Sequence, residues 1–368
     1  MMENMKINQL PSRTWNWLKM NETAISGISV SGAHEIKAEI PAGISKTNCP
    51  AGLPDQFREI AGGMGPDMDV LVRESAAGAV LLSTDGDLAE TPVRIGFTYG
   101  SSEHSLNTFG IFAKEGSKMT VIMDMAAEAD GTSGADHTAL SGVQTKLILE
   151  KDAEVTLVQI IRNDNAKTVL NDIGAKVADG AKFSVIHLFL SGGHVYNGCK
   201  ADLVGKKSTF TADIAYTVGN DAVLDMNYVA LHEGKKSVSE IKTDGVLHEN
   251  SKKLFRGTID FQHGSAESVG AEKEDVLLMG DDVVNQTIPL ILCAEEDVKG
   301  SHGASIGQLD EETLFYMQAR GISEEQAYAL MADARIEAVC QKIPDETAQK
   351  LVKAYLGGDA ADECEENS

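Results

Sequence analysis

Basic residues are scarce in this 368-residue chain: 32 Lys and Arg stand against 56 Asp and Glu, a net charge of −24. Such a surface repels a phosphate backbone, so nucleic acid is not an expected partner, and anionic lipid is disfavoured as well. Long apolar runs are also missing. The longest, Ile288 to Ala294, is interrupted by Pro289, whereas a membrane-spanning helix needs about 20 apolar residues. The opening MMENMKINQLPSRTWNW has no apolar segment of the secretory kind, so a cytoplasmic protein without a membrane anchor is expected. The five cysteines (Cys49, Cys199, Cys293, Cys340, Cys364) are odd in number, widely spaced and free of CxxC. They fit free thiols in a reducing compartment, and neither a disulfide framework nor a zinc ribbon. Aromatics are 5% of the chain while glycine reaches 35 residues. A three-layer α/β enzyme is compatible with that balance, but many short strands and turns suit it better.

Catalytic motifs are sparse. The nearest match to a phosphate-cradling GxxxxGK[ST] loop lies at Gly198–Lys207. There Lys200 takes the place of the first glycine and Lys207 that of the hydroxyl residue that would hold magnesium, so the chain is not itself a P-loop ATPase. No GxGxxG follows a strand, no GxSxG offers a nucleophile elbow, and no HExxH offers zinc ligands. EADGTSGADH, residues 128–137, has the wrong spacing for an EF-hand and reads as a turn between strands.

What remains is ordinary globular material, 42% hydrophobic and 24% charged, long enough for two or three structural units. Residues 1–85 read as a mixed region, with Trp15 and Trp17 as an anchor for the N-terminus and Pro11-Ser12 opening a short helix. From about Pro92 to Ile306 the pattern is one of short period-2 strands. Phe210, Ala212, Ile214 and Tyr216 alternate with polar or small residues, and Phe183, Val185 and Phe189 share a face with His187, which reads as a hydrogen-bonded core residue. His194, after two glycines, reads as a loop residue.

Small residues next to a lysine precede many of these strands, at Ser117-Lys118, Ala181-Lys182, Lys207-Ser208 and Lys236-Ser237. Ala153-Glu154 fills one further such place. Turns recurring every 26 to 29 residues with no helical period between them indicate stacked coils, since one rung cannot bury its inward face alone. A β-sandwich with evenly spaced strands competes with that reading.

After Gly307 the period becomes helical. Asp310 is the expected N-cap of a first helix with Glu311 and Glu312 in its first turn, Leu314, Phe315 and Met317 on its apolar side, and Arg320-Gly321 as its stop. Ser323 to Gln326 forms a capping box. Ala327, Leu330, Met331 and Ala334 are expected on one buried stripe. Pro344 ends that helix, and Leu351, Val352, Tyr355 and Leu356 mark a last one. The tail 359–368 is acidic and expected to be disordered.

His302 sits between small neighbours in Gly300-Ser301-His302-Gly303. Cys293 lies nine residues upstream, with Glu295, Glu296 and Asp297 between them. Imidazole, thiolate and carboxylate are iron ligands. From chemistry alone, a metal or sulfur site and a turn histidine with no role both remain open, as does a structural thiol for Cys293.

The run from Asp297 to Glu312, DVKGSHGASIGQLDEE, continues into Leu314-Phe315-Tyr316 and Arg320-Gly321-Ile322. It closely resembles the signature of the SufB/SufD family of iron–sulfur cluster assembly proteins. Phe255-Arg256-Gly257 and Leu277-Leu278-Met279-Gly280 fit the strands that precede it there. The resemblance is strong over about residues 255–340 and extends to the Pro/Trp segment Leu10–Asn21. It implies a mainly β protein, a right-handed parallel β-helix over 86–307, flanked by the mixed region 1–85 and a C-terminal α-helical domain over 308–358. It also implies a non-enzymatic role in a cytosolic complex. B-type and D-type subunits pair through their β-helices, their C-terminal helices dock on the SufC ATPase, and a nascent cluster forms at the B–D interface.

B-type scaffolds carry a cysteine just before the Leu-Leu-x-Gly strand and a glutamate after the signature histidine. Here those places hold Glu274 and Gly303, which favours a SufD-like subunit. By this resemblance His302, with Cys293 and Glu274 as weaker candidates, would serve iron or a transient cluster at the interface, none held stably by this chain alone. Asp310, Glu311, Glu312, Leu314, Phe315 and Arg320 would meet SufC. The alternatives are a SufB-like homodimer with SufC and, remotely, a β-helical enzyme acting on polysaccharide.

Overall fold

The computed structural model describes residues 2–12, 17–75, 77–84, 91–99, 104–127, 139–163, 167–219 and 221–357. The expected turn at 128–137, Trp15 and the tail 359–368 lie outside them.

Consecutive strands of the central region belong to two different nine-stranded sheets, and each pairs in parallel with the strand one coil earlier. In one sheet Glu154–Asn163, Lys182–Ser191, Thr209–Val218, Val238–His248, Ser268–Met279 and Val298–Gly307 follow in order. The other sheet runs through Lys167–Val177, His194–Leu203, Val223–His232, Lys252–Phe261 and Val284–Cys293. Glu154, Lys182, Thr209 and Val238 are direct ladder partners, so the recurrence of small-residue turns is the length of one coil. This is a parallel β-helix. The sandwich reading falls because hairpin-connected strands would pair antiparallel.

The corners explain the recurring turns. Asp152, Lys207, Lys236 and Glu267, like Gly116 and Gly180, take left-handed backbone angles. Each is followed by a buried small residue: Ser117, Ala153, Ala181, Ser208, Ser237 or Ser268. The left-handed residue bends the chain and the small one fits inside the bend. Between corners, side chains alternate in and out. Phe183, Val185, Phe189, Phe210, Ala212, Ile214 and Tyr216 all join one continuous core. His187 is buried among them, bonded to the Tyr228 hydroxyl and, at 2.8 Å, to Gln159 Oε1. Burial pushes its pKa down to about 3, so it stays neutral. His194 opens a strand where a loop was expected.

The N-terminal end of the solenoid is closed by two antiparallel strands, Lys37–Glu39 and Ile44–Cys49. Helices α1 (Asp55–Arg58) and α2 (Pro66–Glu74) cover part of the outer face nearby. The first strand, Met2–Ile7, pairs antiparallel with Thr23–Ile28. Leu10 and Met20 fasten this hairpin by packing on Leu254 and Ile288. Trp17 does not: it is 92% exposed, in a turn, and the packing contact is made by Leu10 and Met20 instead. Arg256, outward-facing yet fully buried, adds a polar latch. Its Nε donates to Met20 O at 2.8 Å, and its guanidinium also reaches Asp225 (2.5 Å) and Thr23 (3.0 Å).

Helices α3 (Glu311–Gln318), α4 (Glu324–Cys340) and α5 (Glu346–Leu356) follow the last strand. Asp310 caps α3 by accepting from Thr313 N at 2.8 Å, and Ser323 and Gln326 form the expected capping box. Ile336, Val339, Cys340, Ala348 and Val352 pack on the outward residues Ile122, Val158, Ile160, Ile186 and Leu188. The expected stripe on α4 needs correction: Ala327 is buried, but Leu330 and Ala334 face solvent, and the buried side continues through Ile336 and Val339 instead. Arg335 pairs with Asp275 at 2.7 Å and Arg94 with Asp345 at 2.5 Å. These pairs tie the helices back along the solenoid from its last coil. No helix among the described residues is long and apolar enough to cross a membrane.

Candidate functional site

Val284–Cys293 and Val298–Gly307 are the last strands of their sheets. Each has a neighbour on one side only, so each presents a row of unpaired backbone groups. Pro289 is tolerated there because an edge strand does not require every amide. Almost every residue of Val298–Gly307 is exposed, unlike the equivalent positions one coil earlier.

Register decides which side chains look into the solenoid. Ile241, in the core, pairs with Glu272, which pairs with His302. Residues in parallel register project to the same face, so His302 stands on the inward face of the terminal rung, exposed because no further strand among the described residues lies above it. It belongs to a strand, where a turn was the bland expectation. On the opposite sheet Phe261 pairs with Cys293, which is a free and exposed thiol. The fold thus brings His302 and Cys293 to the same open rung from opposite sheets.

Glu274 lies one rung deeper and is 1% exposed. Its carboxylate accepts from Lys253 Nζ at 2.5 Å and from Thr287 Oγ1 at 2.7 Å, while Lys253 also donates to Thr287 at 2.9 Å. Glu274 therefore stands in a buried ion pair beneath the rim. Glu272, 6% exposed, is held differently: a Cβ on Gly257 would come within 2.1 Å of its Oε2. A side chain at Gly257 would therefore displace the Glu272 carboxyl from its present position. Burial, with Glu274 nearby, pushes the Glu272 carboxyl up to about 8. Burial pushes Lys253 down, against the pull of Glu274.

The Glu272 shift predicts a pH dependence. An acid whose folded pKa lies above its unfolded value of about 4.3 favours the folded state fully below that value, and the contribution is lost as pH rises through about 8. Wild type should therefore lose stability relative to Glu272→Gln between about pH 5 and 8, by a few kcal/mol at most. Urea unfolding of both proteins at matched pH values measures it; parallel curves would show that Glu272 is not protonated at neutral pH.

At the helical end, Asp310 caps α3 while Glu311 and Glu312 stand exposed in its first turn. Leu314 is half-buried and Met317 buried, but Phe315 is 72% exposed beside Tyr316. The Arg320 guanidinium lies 3.5 Å from the Tyr316 ring centroid, a cation–π contact that holds the aromatic face open. The six residues from Asp310 to Arg320 thus lie on one short helix and at its two ends, adjoining the open rung.

Lys253, Glu272 and Thr287 were not singled out in the sequence. Glu272 and Glu274 are in phase with Gly270 and Val276 of the same strand, and that alternation was the one available signal for their inward direction. Among the described residues no three His, Cys, Asp or Glu side chains converge to hold a metal. The rung offers one imidazole and one thiol, part of a ligand set for iron.

The chain is similar to the iron-sulfur cluster assembly protein SufD of Bacillus subtilis, 24% identical over 282 residues, covering 76% of this chain and 63% of that one. It is similar to SufD of Escherichia coli, 27% identical over 181 residues, 49% of this chain and 42% of that one. A SufBD family protein of Staphylococcus saprophyticus is 24% identical over 268 residues, 67% and 53% of the two chains. The chain thus spans less than two thirds of the length of these curated relatives. The family model described as SUF system FeS cluster assembly, SufBD core domain, matches residues 97–335. That match runs through the parallel coils, the open rung with its histidine, and the helix laid back beside it, and on that ground the chain belongs to the SufBD family of the SUF iron–sulfur cluster assembly system.

Proposed function

We propose that this chain is a SufD-like, non-catalytic subunit that pairs with a SufB-type scaffold through the open end of its solenoid and binds the SufC ATPase through α3. The observation that carries the reading is the uncovered terminal rung. Ten residues of parallel edge strand, Val298–Gly307, are long enough to add another chain's strand by backbone hydrogen bonds. His302 on the inward face of that rung would then be enclosed at the junction, where it contributes an imidazole to iron acquisition or to a cluster ligand set. Iron or a transient cluster is cargo here, completed by groups from the partner. Phe315, with Leu314 beneath it, supplies an aromatic anchor of the kind that dominates interface energies, and Glu311, Glu312 and Arg320 orient the docked ATPase. The buried Glu274–Lys253 pair, at the B-type cysteine position, leaves Glu274 as a support of the rim.

Anaerobic co-purification of the tagged chain with SufC, with and without the SufB-type subunit, tests this. Light scattering gives the masses, and iron and sulfide are assayed in each peak. A mixed complex holding metal only when the SufB-type chain is present is the expected result. His302→Ala should then abolish most cluster loading while leaving the complex assembled, because an exposed side chain contributes little to folding. Intact loading in that variant would remove the histidine from the site.

The exposed Cys293 on the same rung favours one second reading, a SufB-like scaffold acting as a homodimer with SufC. In that case two copies of His302 and Cys293 would meet across a two-fold axis. A homodimer that binds SufC and holds iron and sulfide unaided would decide for it.

A further inference from the structure

A cavity of about 760 Å³ opens on the outer face of the other end of the solenoid, between helices α1 and α2 and the sheet they cover. Its size falls within the usual range of small-molecule pockets. Leu53, Phe57 and Val70 give it an apolar wall. The charged groups that line it are Arg58, Arg73 and Lys146 against a single carboxylate, Asp69, a cationic excess in a chain whose net charge is −24.

The polar groups divide into used and unused. Lys146 Nζ, almost fully buried, donates to Ile60 O at 2.8 Å and pairs with Asp69 at 3.0 Å, so it holds α2 on the sheet. Arg58 pairs with Asp55 at 3.0 Å. Arg73, exposed in the last turn of α2, has no ion pair among the described residues. Thr108 on the floor is buried, and its Oγ1 has no hydrogen-bond partner there. A buried hydroxyl without a partner is uncommon, and Arg73 beside it is free to meet an anion.

We infer that this cavity binds a small amphipathic monoanion, with its apolar body against Leu53, Phe57 and Val70 and its anionic group toward Arg73. The site lies on a different face from the open rung and does not depend on the assembly role.

The full-length chain would be titrated with two fluorescent probes of the same aromatic body, anilinonaphthalene sulfonate and neutral phenylnaphthylamine. The sulfonate should bind one per chain and about fivefold more tightly than the neutral probe, the scale of one partly exposed ion pair. Arg73→Glu should erase that preference while leaving phenylnaphthylamine affinity unchanged. Val70→Trp, on the half-exposed side of α2, should abolish binding of both by filling the cavity, with an unchanged circular dichroism spectrum and unfolding midpoint showing that the fold is kept. Equal affinity for the two probes, a preference that survives Arg73→Glu, or binding that survives in folded Val70→Trp would each overturn the inference.

Discussion

Glu274→Ala should lower the unfolding free energy at pH 7 by up to about 4.6 kcal/mol. The substitution leaves Lys253, fully buried, with Thr287 as its remaining side-chain partner. The native state then has three options: a buried unpaired charge, deprotonation of the lysine, or ionisation of Glu272, whose carboxyl is felt by Lys253 and is released from the neighbouring Glu274 charge. Deprotonation costs about 1.4 kcal/mol for each unit between the solution pH and about 10.4, which caps the loss near 4.6 kcal/mol at neutrality. The penalty should therefore shrink as pH rises from 7 toward 10. Replacing both partners, Lys253→Met with Glu274→Leu, should return most of the stability, since neither charge is then desolvated. Urea unfolding of the single and double variants across that pH range gives all three comparisons. A pH-independent loss in Glu274→Ala would mean that the lysine keeps its charge, through contact with water or with an ionised Glu272.

The second large effect lies at the N-terminal hairpin. Arg256→Ala removes donors to Met20 O, Asp225 and Thr23 at once. It leaves Asp225 to Asn8 (2.7 Å) and Thr23 with its charge uncompensated. A broken buried pair of this kind costs about 3–5 kcal/mol, but the chain has a cheaper response than global unfolding. The hairpin of Met2–Ile7 and Thr23–Ile28 can open locally and let water reach Asp225. Fast amide exchange in those two strands and early cleavage between them by a protease are therefore expected, with protection retained in the parallel coils. Arg256→Lys should behave almost as badly, because a single ammonium cannot serve three separated acceptors. Unchanged exchange at Met5–Ile7 would show that Leu10 and Met20, packed on Leu254 and Ile288, suffice to hold the hairpin.

The solenoid was legible because its cause is local. Alternation within each strand, and a small residue after each left-handed corner, repeat whether or not the coils are stacked. The capping residues Asp310 and Ser323 were legible for the same reason: a helix start involves only three or four neighbours. The stripe on α4 was not. Alanines at 327, 329, 332, 334 and 338 make several faces equally small and apolar, so the sheet, through Ile186 and Leu188, selects which one is buried. Trp17 misled for a related reason. Its size marks it as a candidate anchor, yet only the shape of the surface at Leu254 and Ile288 decides that Leu10 and Met20 fit there.

At the candidate site, residue chemistry and the resemblance carried by Asp297–Glu312 were enough to single out His302 and Cys293. Their arrival on one uncovered rung was not readable from spacing, because it depends on which strand ends each sheet and on the register that aligns Glu272 with His302 and Phe261 with Cys293. The ion pair of Lys253 and Glu274 depends on it even more, joining residues of opposite sheets through the interior. Strand type, corner chemistry and helix caps follow from interactions among near neighbours in the chain, so the sequence alone settles them. Burial, exposure and the meeting of distant charges follow from stacking one coil on the next, and only the folded solenoid decides them.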